Sequence, residues 1–459
     1  MLVEIGCFSH SNQDPQPGIK SICLGAGKMS SNSAFSYRKI FVIGSGFFAL
    51  TLIWTFYNAY MPLILGDYIE SRAIRGAIMG LDNLLAVLLI PIIGAWSDKV
   101  DTKLGNRLPF IVVGMPLAAI LFILIPFGAA TALWVLLVVD IIFLFAMTIY
   151  RAPVIALMPD HTPKEKRSTA NGIINFMGGV GAIVALFGLS TLYGVDRTYP
   201  FIVAGLLLML AFLLLYYTVD RKPPYFEKVE NELEEVHASR SFFKGLRVLR
   251  KPEFRGHLLI LIAIFLYFIG FTGVEALFTV YAVEHLGFEE SAAGLTLGFF
   301  SLSFVIFAIP AGLLGSKLGK APMMLLGLIT IPFIFLSIPF LPNLVNIFPN
   351  INLVLTLQLV LFTGGIAWAL INVQAYPLVA DLGGKNKIGF FTGLYYLFSM
   401  SSAIVAPAML GLLMDLFTHP ALFYGASASF FIAYFFLSEG SKKVASTTIH
   451  SNTNTNISN

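Results

Sequence analysis

The chain has 459 residues, of which 57% are hydrophobic and only 12% are charged, and its formal net charge is +4. A soluble domain carries about 25% charged residues. This composition therefore excludes a soluble globular protein and predicts an integral membrane protein with many spans. The basic residues lie in short loops between apolar segments, which is not the pattern of a nucleic-acid-binding protein.

Residues 1–37 precede the first long apolar segment. Residues 1–34 are polar, rich in Gly and Ser, and lack the apolar core of a signal peptide. Both cysteines, Cys7 and Cys23, lie in this stretch, so no disulfide framework is predicted. Two interpretations stay open: residues 1–37 form a disordered tail, or translation starts at Met29 and the preceding residues are a mis-assigned extension.

Twelve segments of the sequence are predicted to cross the bilayer, because a spanning helix needs ~20 mostly apolar residues. Six lie in an N-terminal half (38–218) and six in a C-terminal half (257–437). A polar linker (219–256) joins the halves, and a Ser-, Thr- and Asn-rich tail (438–459) is predicted to be disordered. The predicted spans run roughly over 38–64, 73–97, 108–128, 131–158, 169–192, 198–218, 257–283, 291–315, 321–341, 352–379, 388–414 and 420–437.

The two halves repeat each other in sequence. Residues 160–185 match residues 381–406 at a constant offset of 221, with Asp160 opposite Asp381. The sequence Ala182-Ile-Val-Ala185 recurs unchanged at Ala403-Ile-Val-Ala406. Duplicated halves are typical of secondary transporters, which bind their substrate between the halves near mid-membrane.

Basic residues predict the orientation of the spans. The loops on one side carry most of the lysines and arginines, which by the positive-inside rule places both termini and the linker in the cytoplasm. Within the linker, Phe242, Phe243, Leu246 and Leu249 recur at helical spacing among basic residues. This pattern fits an amphipathic helix on the inner leaflet or a solvated linker, and both interpretations stay open.

Four ionisable residues interrupt the apolar segments. An ionisable group in hydrocarbon costs several kcal/mol, so its presence there indicates a function. Asp82, Asp140 and Glu275 are predicted to carry a coupling proton, because burial favours the neutral form of a carboxyl group. The alternative for each is a hydrogen bond between helices. Arg151 is predicted to hold a substrate oxygen or to neutralise a carboxylate.

Amides and aromatic rings at helical spacing within the spans suit a sugar. Sugar hydroxyls pair with amides and other polar groups, whereas the apolar face of a pyranose packs against a flat ring. Any single aromatic residue in a span is more often packed against lipid or a neighbouring helix. Besides Arg151, the predicted substrate-binding residues are Trp54, Tyr57, Asn58, Asn175, Trp368, Asn372 and Gln374.

The motif Gly94-x-x-x-Asp98-Lys99, followed by Arg107, resembles the loop between spans 2 and 3 of the major facilitator superfamily. In that family the loop aspartate caps a neighbouring helix and pairs with basic residues, which stabilises one conformation. The resemblance implies a conformational latch in this chain. Its predicted members are Gly94, Asp98, Lys99, Arg107, Asp160, Arg167 and Asp381.

The long form of this loop, from Ser97 to Phe110, is similar to that of the sugar:cation symporters. These comprise the glycoside–pentoside–hexuronide group and the related sucrose:proton and solute carrier family 45 proteins. The stretches Leu81-Asp82-Asn83 and Tyr150-Arg151-Ala-Pro153 fit the bacterial members of the last group. Ala86 and Ile90 stand where sodium/melibiose-type members carry two aspartates, so the resemblance implies coupling to protons rather than sodium.

The resemblance implies an all-α membrane protein of two six-helix halves in a pseudo-two-fold arrangement. Its expected function is proton-coupled symport of a sugar or glycoside by alternating access, as a monomer in the plasma membrane, with no cofactor and no metal. An exporter of drugs or metabolites and a transporter of a non-sugar solute are the alternatives. An enzyme is not predicted, because the sequence shows no metal cluster, nucleophile–His pair or phosphate loop.

Overall fold

The computed structural model describes residues 36–163, 166–226, 254–348, 350–382 and 388–457. The predicted amphipathic helix of the linker, the segment before residue 36 and the loop lysines Lys164, Lys385 and Lys387 lie outside the described residues. Among the described residues, 12 helices are long and apolar enough to cross a membrane, which confirms the predicted all-α fold.

The N-terminal half contains six membrane-length helices. Proline occurs inside α1 to α4, where neighbouring helices can satisfy the freed backbone groups. Helix α5 contains a π-helical turn at Val184–Leu189 and continues through Ser190–Tyr193. The helices are α1 (Tyr37–Gly66), α2 (Arg72–Lys99), α3 (Leu108–Thr131), α4 (Leu133–Asp160), α5 (Arg167–Ile183 and its continuation) and α6 (Tyr199–Thr218).

The C-terminal half repeats this plan. Helix α9 is followed by a 3-10 turn at Ile338–Phe340 and a short helix at Leu341–Ile347. Helix α12 runs into the tail that composition predicts to be disordered, where residues 441–457 contain neither Gly nor Pro to end it. The helices are α7 (Arg255–Glu284), α8 (Glu290–Leu318), α9 (Lys320–Ser337), α10 (Leu353–Leu382), α11 (Ile388–Leu416) and α12 (Ala421–Ile457).

The halves meet mainly along α2 with α11, α5 with α8 and α1 with α7, and α2 also contacts α7. Glycines allow the closest approach between α2 and α11. A Cβ atom at Gly76 would overlap the carbonyl oxygen of Pro407, and one at Gly80 would overlap that of Ile404. Small residues at such positions let membrane helices pack backbone to backbone.

We call the side of the molecule with the α2–α3 and α4–α5 loops the terminal face, and the other side the opposite face. Side-chain hydrogen bonds and ion pairs between described residues of the two halves lie towards the opposite face. Arg72 pairs there with Glu284 at 2.7 Å and with Asp415 at 3.2 Å, and Arg75 pairs with Glu284 at 2.6 Å. The halves are therefore joined at this face.

Ion pairs between described residues near the terminal face stay within one half or reach only the start of the linker. Lys39 pairs with Asp220 at 2.6 Å, and Lys320 pairs with Asp381. Asn175 and Tyr376 are exposed in the parts of α5 and α10 nearer this face. The conformation is thus closed by polar contacts at the opposite face, whereas no two described residues make such a contact between the halves at the terminal face.

Candidate transport site

A cavity of about 320 Å³ lies between the two halves, near the middle of the helices that line it. Polar and charged side chains from both halves face it. A second space of about 30 Å³ shares Thr55, Asn58 and Glu275 with it and is otherwise mainly apolar. The lining of the larger cavity is Leu50, Thr51, Trp54, Thr55, Asn58, Met79, Asp82, Asn83, Arg151, Thr272, Glu275, Ala276, Ala403 and Pro407.

Arg151 connects two groups in the wall of this cavity. Its Nη1 atom lies 4.0 Å from Oδ1 of Asp82, and its guanidinium carbon lies 5.7 Å from the ring centroid of Trp54. Helices α1, α2 and α4 of one half therefore meet at a single arginine. The pair places a cation and an anion side by side at a position where a solute can reach both.

Glu275 on α7 is the carboxyl group that the other half contributes to the cavity. It borders both the larger cavity and the small apolar space behind it. Within the described part of the chain, Glu275 has no hydrogen-bond or ion-pair partner. It is therefore free to interact with a solute or to take up a proton from the cavity.

Tyr57 and Asp140, predicted as a substrate-binding and a proton-coupling residue, lie behind the cavity wall. Each is 1% exposed, and the Tyr57 hydroxyl donates a hydrogen bond of 3.0 Å to Oδ1 of Asp140. The ring of Tyr57 meets that of Trp54 edge to face at 5.6 Å between centroids. The structure brings these residues close to the site but does not place them in its lining.

The structure places four other predicted substrate-binding residues away from the cavity lining. Trp368 stacks on Phe271 with 3.9 Å between ring centroids, and Gln374 donates a 2.7 Å hydrogen bond to the Ala311 carbonyl. Asn175 is exposed, and Asn372 is half-buried. Helical spacing in the sequence shows which residues share a face, but not whether that face meets a cavity, a helix or lipid.

Arg107 is the centre of the predicted latch. Its Nε atom donates to Oδ2 of Asp160 at 2.9 Å, and its Nη1 atom pairs with Asp98 and bonds to the Ser97 hydroxyl. The guanidinium also lies over the ring of Phe226, 5.4 Å from its centroid. The end of α2, the start of α3 and the end of α4 are thereby tied together on the terminal face.

The remaining predicted latch residues lie around this cluster or in the second half. Gly94 and Lys99 are in the last turns of α2, and Arg167 bonds to the Pro159 carbonyl at 3.4 Å. Asp381, the repeat of Asp160, pairs with Lys320 at the start of α9, just as Asp160 pairs with Arg107 at the start of α3. The constant offset of the repeat, with a basic residue at Lys320, could have indicated this second pair.

The sequence matches the family profile of the Major Facilitator Superfamily over residues 43–407 and 290–453. The chain belongs to the major facilitator superfamily. It is therefore a multi-pass membrane transporter and not an enzyme, and the resemblance of its α2–α3 loop to this superfamily is confirmed. No curated protein matches the sequence.

Solved transporter structures share the fold of this superfamily member. The nucleoside transporter NupG aligns with a TM-score of 0.68 at 13% identity, over 88% of this chain and 99% of that one. A mutant of the peptide transporter POT in complex with sulfate gives 0.67 at 15% identity, over 89% and 95%. A bacterial homologue of the human lysosomal transporter Spinster, in an inward-facing and unoccupied conformation, gives 0.66 at 16% identity, over 91% and 98%. At these identities the likeness concerns the fold alone.

Proposed function

We propose that the protein is a proton-coupled symporter that moves a sugar or glycoside across the plasma membrane by alternating access, as a monomer. The observation that carries this proposal is the cavity between the halves, which combines Arg151 and Asp82 of one half with Glu275 of the other. A solute bound there contacts both halves at once, so it can bias their relative position.

Asp82 and Glu275 are the proposed coupling groups, because both line the cavity. With Asp82 ionised, its carboxylate lies 4.0 Å from Arg151 and competes with a solute for the guanidinium. A proton on Asp82 removes that competition and leaves the N–H donors of Arg151 available to solute oxygens. Proton and solute then favour each other's binding, which is a coupling free energy between two sites.

A sugar fits the remaining lining. Trp54 offers a flat ring beside the guanidinium of Arg151, and Asn58 and Asn83 offer amides that both donate and accept hydrogen bonds. Thr51, Thr55 and Thr272 add hydroxyl groups. This combination of one ring and several neutral polar groups suits the mixed surface of a pyranose.

The basic loops place the terminal face in the cytoplasm in this proposal. The structure, closed at the opposite face by the Arg72, Arg75 and Glu284 contacts, then corresponds to an inward-facing conformation. The Arg107 cluster acts as a latch that keeps the ends of α2, α3 and α4 together as the halves move. Sodium is the less favoured coupling ion, because Ala86 and Ile90 provide no carboxylates.

A transporter of a non-sugar solute is the second candidate. Most of the predicted sugar-binding residues do not line the cavity, which favours this candidate. Arg151, Trp54 and Asn58 line it. The others, which do not, are Tyr57, Asn175, Trp368, Asn372 and Gln374. Two carboxyl groups and a guanidinium in the wall also suit a small charged solute.

Uptake into proteoliposomes tests both candidates. Labelled mono- and disaccharides, with nucleosides and short peptides as the comparison set, are offered under an inward pH gradient or an inward sodium gradient. Accumulation of a sugar under the pH gradient alone is the expected result. Accumulation under sodium alone contradicts proton coupling, and accumulation of only non-sugar solutes contradicts the sugar assignment.

A further inference from the structure

A buried pair lies directly behind the wall of the proposed transport cavity. Asp140 on α4 and Tyr57 on α1 are each 1% exposed. Oδ1 of Asp140 accepts the Tyr57 hydroxyl at 3.0 Å, whereas its Oδ2 atom has no hydrogen-bond partner among the described residues. Asp140 therefore lies close to the site without reaching it.

No cation among the described residues compensates this carboxyl group. Among the described residues Asp140 forms no ion pair, and Arg151 on the same helix approaches Asp82 instead, at 4.0 Å. An ionised carboxylate that is buried without a counter-charge is strongly disfavoured. A neutral carboxylic acid with one hydrogen bond from Tyr57 is much less costly to bury.

Tyr57 links Asp140 to the cavity wall, because its hydroxyl bonds to Asp140 and its ring contacts Trp54. Its ring packs between Trp54 and Phe143, at 5.6 Å between centroids in both cases. The indole Nε1 atom of Trp54 is buried and has no hydrogen-bond partner among the described residues. The orientation of Trp54 is therefore set by the guanidinium of Arg151 and by two ring contacts, with Tyr57 edge to face and Phe143 at 6.3 Å between centroids.

We infer that Asp140 is a positioning residue, a carboxylic acid that keeps its proton throughout the transport cycle and fixes Trp54 in the cavity wall through Tyr57. The role assigned to Trp54 rests on the proposed function. Asp140 therefore differs in role from Asp82 and Glu275. The two cavity carboxyl groups bind and release the coupled proton, whereas Asp140 fixes the position of the ring against which a solute packs.

Infrared spectroscopy of the full-length protein in lipid tests the protonation state without any solute. A carbonyl stretch from a carboxylic acid is expected at both mildly acidic and mildly alkaline pH, and Asp140→Asn is expected to remove it. Asp82→Asn, the matched control, is expected to leave this band in place. A band that disappears at alkaline pH, or one that Asp140→Asn does not remove, would overturn the inference.

Tyr57→Phe keeps the ring and removes only the hydroxyl donor. It is expected to move the Asp140 carbonyl band to higher frequency, because a carbonyl that loses a hydrogen bond stiffens. This variant keeps the test available if substitution of Asp140 prevents folding. An unmoved band would show that the pair is not formed in the membrane and would contradict the positioning role.

Transport kinetics test the positioning role with whichever labelled solute the uptake panel identifies. Asp140→Asn, which preserves shape and neutrality, is expected to keep the accumulation ratio and the pH profile of wild type. Asp140→Ala is expected to raise KM several-fold with a smaller change in kcat. Loss of accumulation in Asp140→Asn with exchange intact would make Asp140 a coupling group. Because the infrared experiment needs no solute, failure of the uptake panel would leave this inference testable on its own.

Discussion

Arg151 lies between two partners of different character, the carboxyl group of Asp82 and the ring of Trp54. The contact with the ring is a cation–π interaction and keeps its strength when Asp82 is protonated. The contact with Asp82 depends on the charge of that group. A change of one proton therefore alters what Arg151 can bind without moving it away from the cavity.

The charged residues of the site could be predicted from the sequence, because each of them interrupts a long apolar segment. That signal is local and needs no knowledge of packing, and it pointed to Asp82, Arg151 and Glu275. It also pointed to Asp140, because a carboxyl group within an apolar segment gives the same sequence signal whether it lines a cavity or packs between helices. Only the structure separates these two environments.

Glu275→Gln removes the one cavity carboxyl group that has no partner among the described residues. The amide cannot carry a proton through the cycle, so accumulation driven by a pH gradient should fall to the level of equilibration, while exchange of labelled solute persists. Uptake and counterflow in proteoliposomes measure both quantities. Glu70→Gln, at an exposed position between α1 and α2, is the matched control. Undiminished accumulation in Glu275→Gln would remove this residue from the coupling mechanism.

At the scale of helices, the contact between α2 and α11 closes the opposite face. The spans themselves could be predicted, because hydropathy over about 20 residues identifies a membrane helix. The polar contacts between Arg72, Glu284 and Asp415 could not, because these residues are far apart in sequence and lie at helix ends without a periodic pattern. Likewise, the helical faces of Trp368 and Gln374 were visible in the sequence, but their packing partners were not.

Gly80→Ala should weaken the closure of the opposite face. The added Cβ atom overlaps the Ile404 carbonyl, so α2 and α11 must separate, and the equilibrium should shift towards the conformation that is open on this side. The reporter is Met79→Cys in a background without Cys7 and Cys23. In the Gly80→Ala protein this cysteine should react with an impermeant maleimide applied to the opposite face several-fold faster than in the reporter protein that keeps Gly80.

Gly172→Ala is the control for Gly80→Ala. A Cβ atom at Gly172 has no neighbouring atom within 4 Å, so this substitution brings only the gain in helix propensity, about 1 kcal/mol. With Gly172→Ala, the cysteine at Met79 should be labelled at the same rate as in the reporter protein that keeps both glycines. Equal rates in all three proteins would show that the glycine contact does not hold this face closed.

Acid on the opposite face should favour its opening. Burial, and then the neighbouring His419, lower the pKa of His285, whose ring stacks on that of His419 at 5.3 Å between centroids. His419 also lies 2.7 Å from Arg72 and 3.2 Å from Glu284, with Arg75 and Asp415 completing the charged cluster. His285 and His419 lie in the same half, whereas Arg72 reaches this cluster from the other half. Separation of the halves removes Arg72 and admits water, which should return the pKa of His285 towards its ordinary value of about 6.5. The closed form then binds fewer protons than the open form.

Above pH of about 6.5 His285 is neutral in both forms, and the preference for the closed form is fully present. As the pH falls from that value towards the lowered pKa of the closed form, His285 is protonated mainly in the open form, and the preference decreases. The labelling rate of the cysteine at Met79 should rise over this range, and His285→Gln should reduce the rise. A rate independent of pH in wild type would contradict this account of the cluster.

Asp98→Asn tests the latch on the terminal face. The amide keeps the shape but loses the charge that pairs with Arg107, so the end of α2 is held less firmly to α3 and α4. Turnover should slow several-fold, whereas the ranking of solutes should not change because the cavity is untouched. Uptake rates for two solutes measure both effects, and an altered ranking would show that the latch assignment is wrong.

For the whole molecule, duplication accounts for the ion pairs on the terminal face but not for the residues of the cavity. The repeated halves place Arg107 with Asp160, and Lys320 with Asp381, at equivalent ends of α3 and α4 and of α9 and α10. The cavity is not symmetric: the pair of Arg151 and Asp82 comes from one half, and the lone Glu275 from the other. In the proposed mechanism, a proton on Glu275 and a solute at Arg151 would be held by opposite halves, and a proton on Asp82 would act within one half.

The fold and the family could be predicted from the sequence because the hydropathy, the repeat and the α2–α3 loop are all encoded in short stretches of the chain. The choice of cavity residues depends on how twelve helices are rotated against one another, which no short stretch determines. This is why the charged residues of the site were found in the sequence, whereas most of the other residues that line the cavity were not.

Proton movement that accompanies solute entry is the most direct test of the central claim. Proteoliposomes that contain a pH-sensitive dye receive the solute identified by the uptake panel, at equal pH on both sides. Solute entry is expected to acidify the lumen in wild type, and Glu275→Gln is expected to transport without acidification. Solute entry in wild type with no change in lumenal pH would contradict proton-coupled symport.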